Sequence, residues 1–176
     1  MSSSTIVLTV IGKDRPGLVG LLSQTVAELG GNWEQSRMAR LGGRFAGILR
    51  VSIEPERVDA LVEALQSLAG QGVRVTVEPG GEGSLPEEHR RLRVSLLGQD
   101  RTGIIRDISA ALASRGVNVE SLETLCEDAP MGGGELFRMV AEIAVPSSLA
   151  TGDLRAALED LGNDLMVDIA LRDDVE

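Results

Sequence analysis

Two short blocks of this chain, each present twice, hold the residue types that grip a charged small molecule. Gly12-Lys13-Asp14-Arg15-Pro16-Gly17-Leu18-Val19 returns as Gly98-Gln99-Asp100-Arg101-Thr102-Gly103-Ile104-Ile105, an offset of 86 residues (98 − 12). The same offset carries Gly30-Gly31-Asn32-Trp33-Glu34 onto Gly116-Val117-Asn118-Val119-Glu120. An apolar run at helical spacing follows Gly17 and Gly103, so each glycine stands at a helix start. Free backbone N–H groups there hold an anion such as a carboxylate, and glycine lets a ligand approach the main chain. The spacing equally suits a plainer role: Asp14 and Asp100 can cap the helix by accepting the N–H three residues on. Pro16 and Thr102 complete the two steps. Asn32 and Asn118 follow the helix; an amide both donates and accepts, so it can read an ammonium and a carboxylate together. An asparagine also tolerates the left-handed turn behind a helix, with no ligand involved.

Other chemistries find little support. One cysteine, Cys126, precludes an intramolecular disulfide, and with a single histidine, His89, leaves no ordinary zinc set. There is no G-x-S-x-G elbow. Gly80-Gly81-Glu82-Gly83 and Gly132-Gly133-Gly134 lack the Lys-Ser/Thr of a phosphate-binding loop. Cys126 is expected to be a buried hydrophobe, His89 a solvated linker residue, and Trp33 a packing residue. No catalytic residue, metal or cofactor is expected. No Tyr, two Phe and one Trp are too few aromatics for a sheet that stacks bases. The net charge is −10, unevenly spread. Residues 1–79 carry eight basic and eight acidic side chains; residues 91–176 carry eight and sixteen. Neither half offers phosphates a strong field, so direct nucleic-acid binding is not expected. No apolar run approaches the ~20 residues that span a bilayer. Met1-Ser2-Ser3-Ser4 lacks the basic and apolar regions of a signal peptide, so a cytoplasmic address and no membrane are expected.

Local periodicity supplies the elements that position these residues. Thr5 to Ile11 is a β-rich run ended by Gly12. Leu18, Leu21, Leu22, Val26 and Leu29 fall on one helical face, stopped by Gly30-Gly31. Asn32 to Leu41 and Phe45 to Ile53 read as strands joined at Gly42-Gly43. Pro55 opens a second helix with Val58, Leu61, Val62, Leu65 and Leu68 inward. Val73, Val75 and Val77 alternate in a last strand. Residues 91–176 repeat the order, with Leu165, Val167, Ile169 and Leu171 alternating at the end and a longer Gly-rich loop at 128–134. The chain therefore divides into a domain at 1–79, a breaker-rich linker at 80–90 and a domain at 91–176. Each domain reads βαββαβ. Right-handed crossovers put both helices on one face of an antiparallel sheet, an α+β ferredoxin-like fold.

The D-R-P-G step after strand one and the G-x-N step before strand two resemble the ACT domain, a family of small-molecule-sensing modules. The likeness covers nearly the whole chain and is better in the first copy, since Thr102 replaces Pro16 in the second. Two copies in tandem, with the stretch at 30–43, look most like the family of the glycine cleavage system transcriptional repressor. The resemblance implies a non-catalytic regulator that binds an amino acid where two domains meet edge to edge. The ligand would lie between the strand-one/helix-one loop of one domain and a strand of its neighbour. Asp14, Pro16, Gly17 and Asn32 would serve one site; Asp100, Thr102, Gly103 and Asn118 would serve the other. Each four-stranded sheet has edge backbone that needs covering, so edge-to-edge pairing of the copies and a homodimer are expected. If the relatives repress transcription, the chain is expected to act through a DNA-binding regulator protein as partner. The same βαββαβ order also occurs in acylphosphatase-type enzymes and in nucleic-acid-binding modules.

Overall fold

The computed structural model describes residues 3–81, 89–129 and 133–173. The chain separates into two compact units, Met1–Gly83 and Ser84–Glu176. In the first, β1 (Ser4–Lys13), α1 (Leu18–Glu28), β2 (Asn32–Leu41), β3 (Arg44–Ile53), α2 (Val58–Ser67) and β4 (Val73–Pro79) follow one another. The strands form one antiparallel sheet in the order β2-β3-β1-β4. Alternation builds its core: Ile6, Leu8 and Val10 of β1 lie beside Val51, Leu49 and Gly47 of β3, and the apolar members of both sets are buried. Leu18, Leu22 and Val26 of α1 and Leu61 and Leu65 of α2 join the same cluster. Both helices thus cover one face, and Thr9, Ile11 and Ile48 remain exposed on the other.

The second unit repeats the plan: β5 (His89–Gln99), α3 (Ile104–Ala113), β6 (Asn118–Asp128), β7 (Glu135–Pro146), α4 (Thr151–Leu165) and β8 (Val167–Asp173), in the sheet order β6-β7-β5-β8. Its core is separate, with Ile104, Leu112, Met139, Ile143, Leu154 and Leu158 fully buried.

Two local readings change. His89 and Arg90, assigned to the linker from its breakers, are strand residues paired with Pro146 and Val145. The Arg90 guanidinium donates to Thr151 Oγ1 at 2.8 Å and to the Leu149 carbonyl, tying β5 to the start of α4. Leu165 closes α4 rather than opening the last strand. The alternation at 165, 167, 169 and 171 misleads there, because a buried helix end and a buried strand start share one parity across the turn at Met166, whose φ is 56°. The remainder of the linker expectation, the middle of the 128–134 loop and the acidic end of the chain fall on residues 82–88, 130–132 and 174–176, outside the described residues.

Candidate ligand site at the turn between β1 and α1

Beyond Lys13 the backbone N–H of Asp14 donates to the Gly43 carbonyl at 3.1 Å, which fixes the turn above the β2–β3 hairpin. Gly17 then takes φ 85°, a left-handed conformation that glycine adopts without penalty. A Cβ placed on Gly17 would meet nothing within 4 Å, so conformation rather than crowding demands glycine here. The Gly17 carbonyl accepts the first helical bond, from Leu21 N–H at 2.8 Å. No side chain caps α1. The capping role considered for Asp14 is thus overturned: its carboxylate pairs with Arg40 Nε of β2 at 2.7 Å. The backbone tie to Gly43 holds Asp14 over the hairpin, and a charged guanidinium outcompetes a neutral N–H.

A hollow of about 140 Å³ opens at this turn, lined by Asp14, Arg15, Gly17, Leu18, Val19, Gly20 and Phe45. Pro16 is exposed in the turn and does not line it. Arg15 reaches across to the Gln71 carbonyl at 3.4 Å. The hollow therefore offers a carboxylate, two guanidinium groups nearby and a helix start with no side-chain cap. Such a set can hold a carboxylate at the helix end and an ammonium against Asp14. A larger hollow of about 540 Å³ lies among Ile6, Val58, Val62, Val77 and Glu78, and contains none of the residues singled out by the repeat.

The second turn keeps the backbone and changes the side chains. Asp100 N–H donates to the Glu135 carbonyl at 2.9 Å, Gly103 takes φ 100°, and no side chain caps α3. Asp100 therefore does not cap its helix either. Thr102 is exposed. Arg106 stands where the first copy has Gly20, and its Nη2 lies 3.0 Å from the position of a Gly103 Cβ. Arg106 Nε also pairs with Asp107 Oδ1 at 2.8 Å. This hydrogen bond holds the Asp107 carboxyl below its ordinary range and the guanidinium above its own.

The asparagines lie elsewhere. Asn32 opens β2 opposite Ser52, whereas Asp14 lies beyond the Lys13–Arg44 pair at the other end of the sheet. The run from Asn32 to Leu41 spans roughly 30 Å at about 3.3 Å per residue. Asn118 likewise opens β6 opposite Ala144, far from the Asp128–Glu135 end that neighbours Asp100. Neither unit brings its asparagine to its own aspartate and glycine.

The second repeated block has a structural account. Gly30 and Gly116 turn the chain out of the helix at φ 78° and 71°. Glu34 and Glu120 are then skipped in the register, so each edge strand bulges at the same place. The two carboxylates reach inward along the sheet to Arg50 Nε at 2.9 Å and Arg91 Nε at 3.0 Å. The recurrence of these two glutamates at the same offset of 86 residues is the sequence signal for this shared pairing. Trp33 packs against the first core, as expected. Cys126 is exposed, against expectation, because β6 overhangs the layer that the helices cover. Partial loss of hydration, then the Asp100 and Glu135 carboxylates, hold its thiol above the ordinary range, so it is no activated nucleophile. Among the described residues no three metal-ligating side chains gather, and no helix is long and apolar enough to cross a membrane.

The ACT domain family matches residues 4–78 and again residues 92–159. The glycine cleavage system transcriptional repressor of Escherichia coli (strain K12) is 41% identical over 51 residues, which is 29% of this chain and 27% of that protein. A phosphoserine phosphatase of Mycobacterium tuberculosis is 24% identical over 173 residues, covering 96% of this chain and 41% of that protein. The chain thus spans well under half of each of these two relatives. Among solved structures, a protein of unknown function from Galdieria sulphuraria superposes with a TM-score of 0.89 at 33% identity, over 99% of this chain and 100% of that one. A chain described as a glycine cleavage system transcriptional repressor superposes with a TM-score of 0.73 at 20% identity over the full length of both, a likeness of fold. With two family matches on the two βαββαβ units, this chain belongs to the ACT-domain family of regulatory, ligand-binding proteins.

Proposed function

We propose that this chain is a non-catalytic cytoplasmic regulator. It binds an amino acid at an interface between ACT domains and needs no cofactor. The observation that carries the reading is the hollow at Gly17, where an uncapped helix start faces Asp14 and its Arg40 partner. A zwitterion matches that set, with its carboxylate on the backbone N–H groups and its ammonium on Asp14. Asn32 lies at the wrong end of its own sheet, so an amide reaches the hollow only from a neighbouring domain laid antiparallel along the edge. A ligand that bridges two domains binds the paired state better than the separate one. That difference in affinity is the regulatory signal.

The relative that carries the name of a transcriptional repressor suggests the process: control of glycine cleavage or related amino-acid metabolism, through a DNA-binding regulator protein as partner. The deciding experiment is calorimetry of the whole chain against the twenty amino acids. One or a few should bind, and Asn32→Ala should weaken that binding by about 1–3 kcal/mol, the cost of leaving a buried partner unpaired. Asn118→Ala should do the same if the second turn is also occupied. Heat from none of the twenty would overturn the reading.

A further inference from the structure

Residues 1–79 are neutral in total, with eight basic and eight acidic side chains, but the charge is divided by face. Five of the eight acids, Glu28, Glu54, Glu56, Asp59 and Glu63, sit on the helices or in the segment that leads into α2. The outer face of the sheet, which no helix covers, gathers cations at the end nearest the turn between β1 and α1. Strand pairing places them. Lys13 of β1 lies directly opposite Arg44 of β3, and Ile11 lies between Ala46 of β3 and Arg74 of β4. Lys13, Arg44 and Arg74 are exposed, and among the described residues none of the three forms an ion pair. The acids of this face do not reach them: Glu34 is taken by Arg50, and Glu78 stands opposite Val7 toward the other end. Like charges set directly across a sheet destabilise it. Lys13 and Arg44 therefore stand at a cost to the isolated chain, and a carboxylate laid over them relieves it.

Between these cations the face is apolar. Three of the four large apolar side chains exposed in the first unit, Ile11, Ile48 and Leu41, share it by register. An exposed apolar patch rimmed by charge marks an interaction surface. The second unit shows that the fold does not demand this patch. At the matching places β5 sets Gln99 opposite Leu136 and Leu97 opposite Asp168, so the apolar residue is kept and the cations are gone.

From this pattern we propose that the outer sheet face of the first unit docks an acidic, amphipathic segment of a partner protein. Its apolar side chains lie on Ile11 and Ile48, and its carboxylates meet Lys13, Arg44 and Arg74. The proposal rests on the reading that the chain works through a partner protein, and names the surface and the chemistry of that partner. A single-stranded nucleic acid would need aromatic side chains to stack on, and Trp33 and Phe45 both pack against the core instead. Two copies of this face would set the same cations against each other. The second unit's outer carboxylates Glu120, Glu127 and Glu142 already pair with Arg91, Arg138 and Arg93, so a second copy is a poor source of free acid.

The probe is a labelled helical peptide of about 18 residues, with leucines on one face and glutamates on the other, read by fluorescence anisotropy. The wild-type chain should bind it at micromolar concentration. Arg74→Glu and Ile48→Asp should each weaken binding about tenfold or more while remaining folded by circular dichroism; if Ile48→Asp does not fold, Ile48→Ser takes its place. Arg44→Glu should weaken binding too, yet its unfolding midpoint should hold or rise, because opposite charges then face each other between β1 and β3. A fall in both would show that Arg44 serves the fold alone and would overturn the proposal. So would no binding of the peptide, equal binding of a scrambled peptide of the same composition, or affinity unchanged by the reversals. Binding of a DNA duplex that Arg74→Glu abolishes would give the face to nucleic acid instead. A wild-type oligomer that Arg74→Glu dissociates would give it to a second copy. Amino-acid calorimetry on the same samples separates this surface from the ligand site. A chain that binds the peptide and no amino acid removes the ligand reading alone, and one that binds an amino acid and no peptide removes this surface alone.

Discussion

Gly17 is the residue on which the candidate site turns. Its φ of 85° is strained for any side chain, although nothing lies within 4 Å of its Cβ position. Gly17→Val is therefore expected to cost about 1–2 kcal/mol through the left-handed backbone, and to spoil ligand binding by shifting the helix start. Thermal unfolding and calorimetry read the two effects. Asp14 gives a sharper contrast. Its pair with Arg40 is open to water, with side chains 32% and 71% exposed, so it contributes at most about 1 kcal/mol to stability. Asp14→Ala should leave the unfolding midpoint nearly unchanged and cut amino-acid affinity about tenfold or more. Equal, small losses in both measurements would show that Asp14 only orders the turn.

At the scale of elements, the helices back the central strands and leave β2 and β6 overhanging. A buried helix position and an overhanging strand position should therefore respond to very different extents. Leu61 of α2 is fully buried, and Leu61→Ala should destabilise the chain by about 2–5 kcal/mol, read by denaturant unfolding. Leu122 of β6 is half exposed, and Leu122→Ser should cost less than about 1 kcal/mol in the same measurement. The repeated bulges at Glu34 and Glu120 belong to this scale too. They end the straight part of each edge strand, a common device for limiting where an edge can pair.

Across the whole molecule, the charge of −10 is concentrated in the second half. Phosphate contacts need clustered cations, and at physiological salt an acidic surface binds a duplex weakly if at all. Fluorescence anisotropy with a labelled DNA duplex is expected to show no binding by the pure chain at micromolar concentration. A salt-sensitive nanomolar complex would place the chain itself, rather than a partner, on nucleic acid. Turnover of an acyl phosphate is likewise not expected, and a simple release assay checks it.

Sequence alone determined the tandem architecture and nearly every element. The repeat at a constant offset and the 2- and 3.6-residue alternations are local records of which side chains face a core. They carried Ile6, Leu8 and Val10 inward on β1 and Leu18, Leu22 and Val26 inward on α1. They also placed Gly17 and Gly103 at helix starts, where the structure gives both a left-handed backbone. Tertiary structure decided what these residues meet. Asp14 finds Arg40 rather than its own helix, and Glu34 finds Arg50, because sheet register sets distant strands side by side. Asn32 and Asp14 belong to repeated blocks of equal promise, yet β2 runs antiparallel to β3 and leaves them at opposite ends of one sheet. Cys126 sits outside because β6 is an edge, a property of strand order. Periodicity reports one residue's own face; strand order and register are relations between segments far apart in the chain, and only the folded chain expresses them.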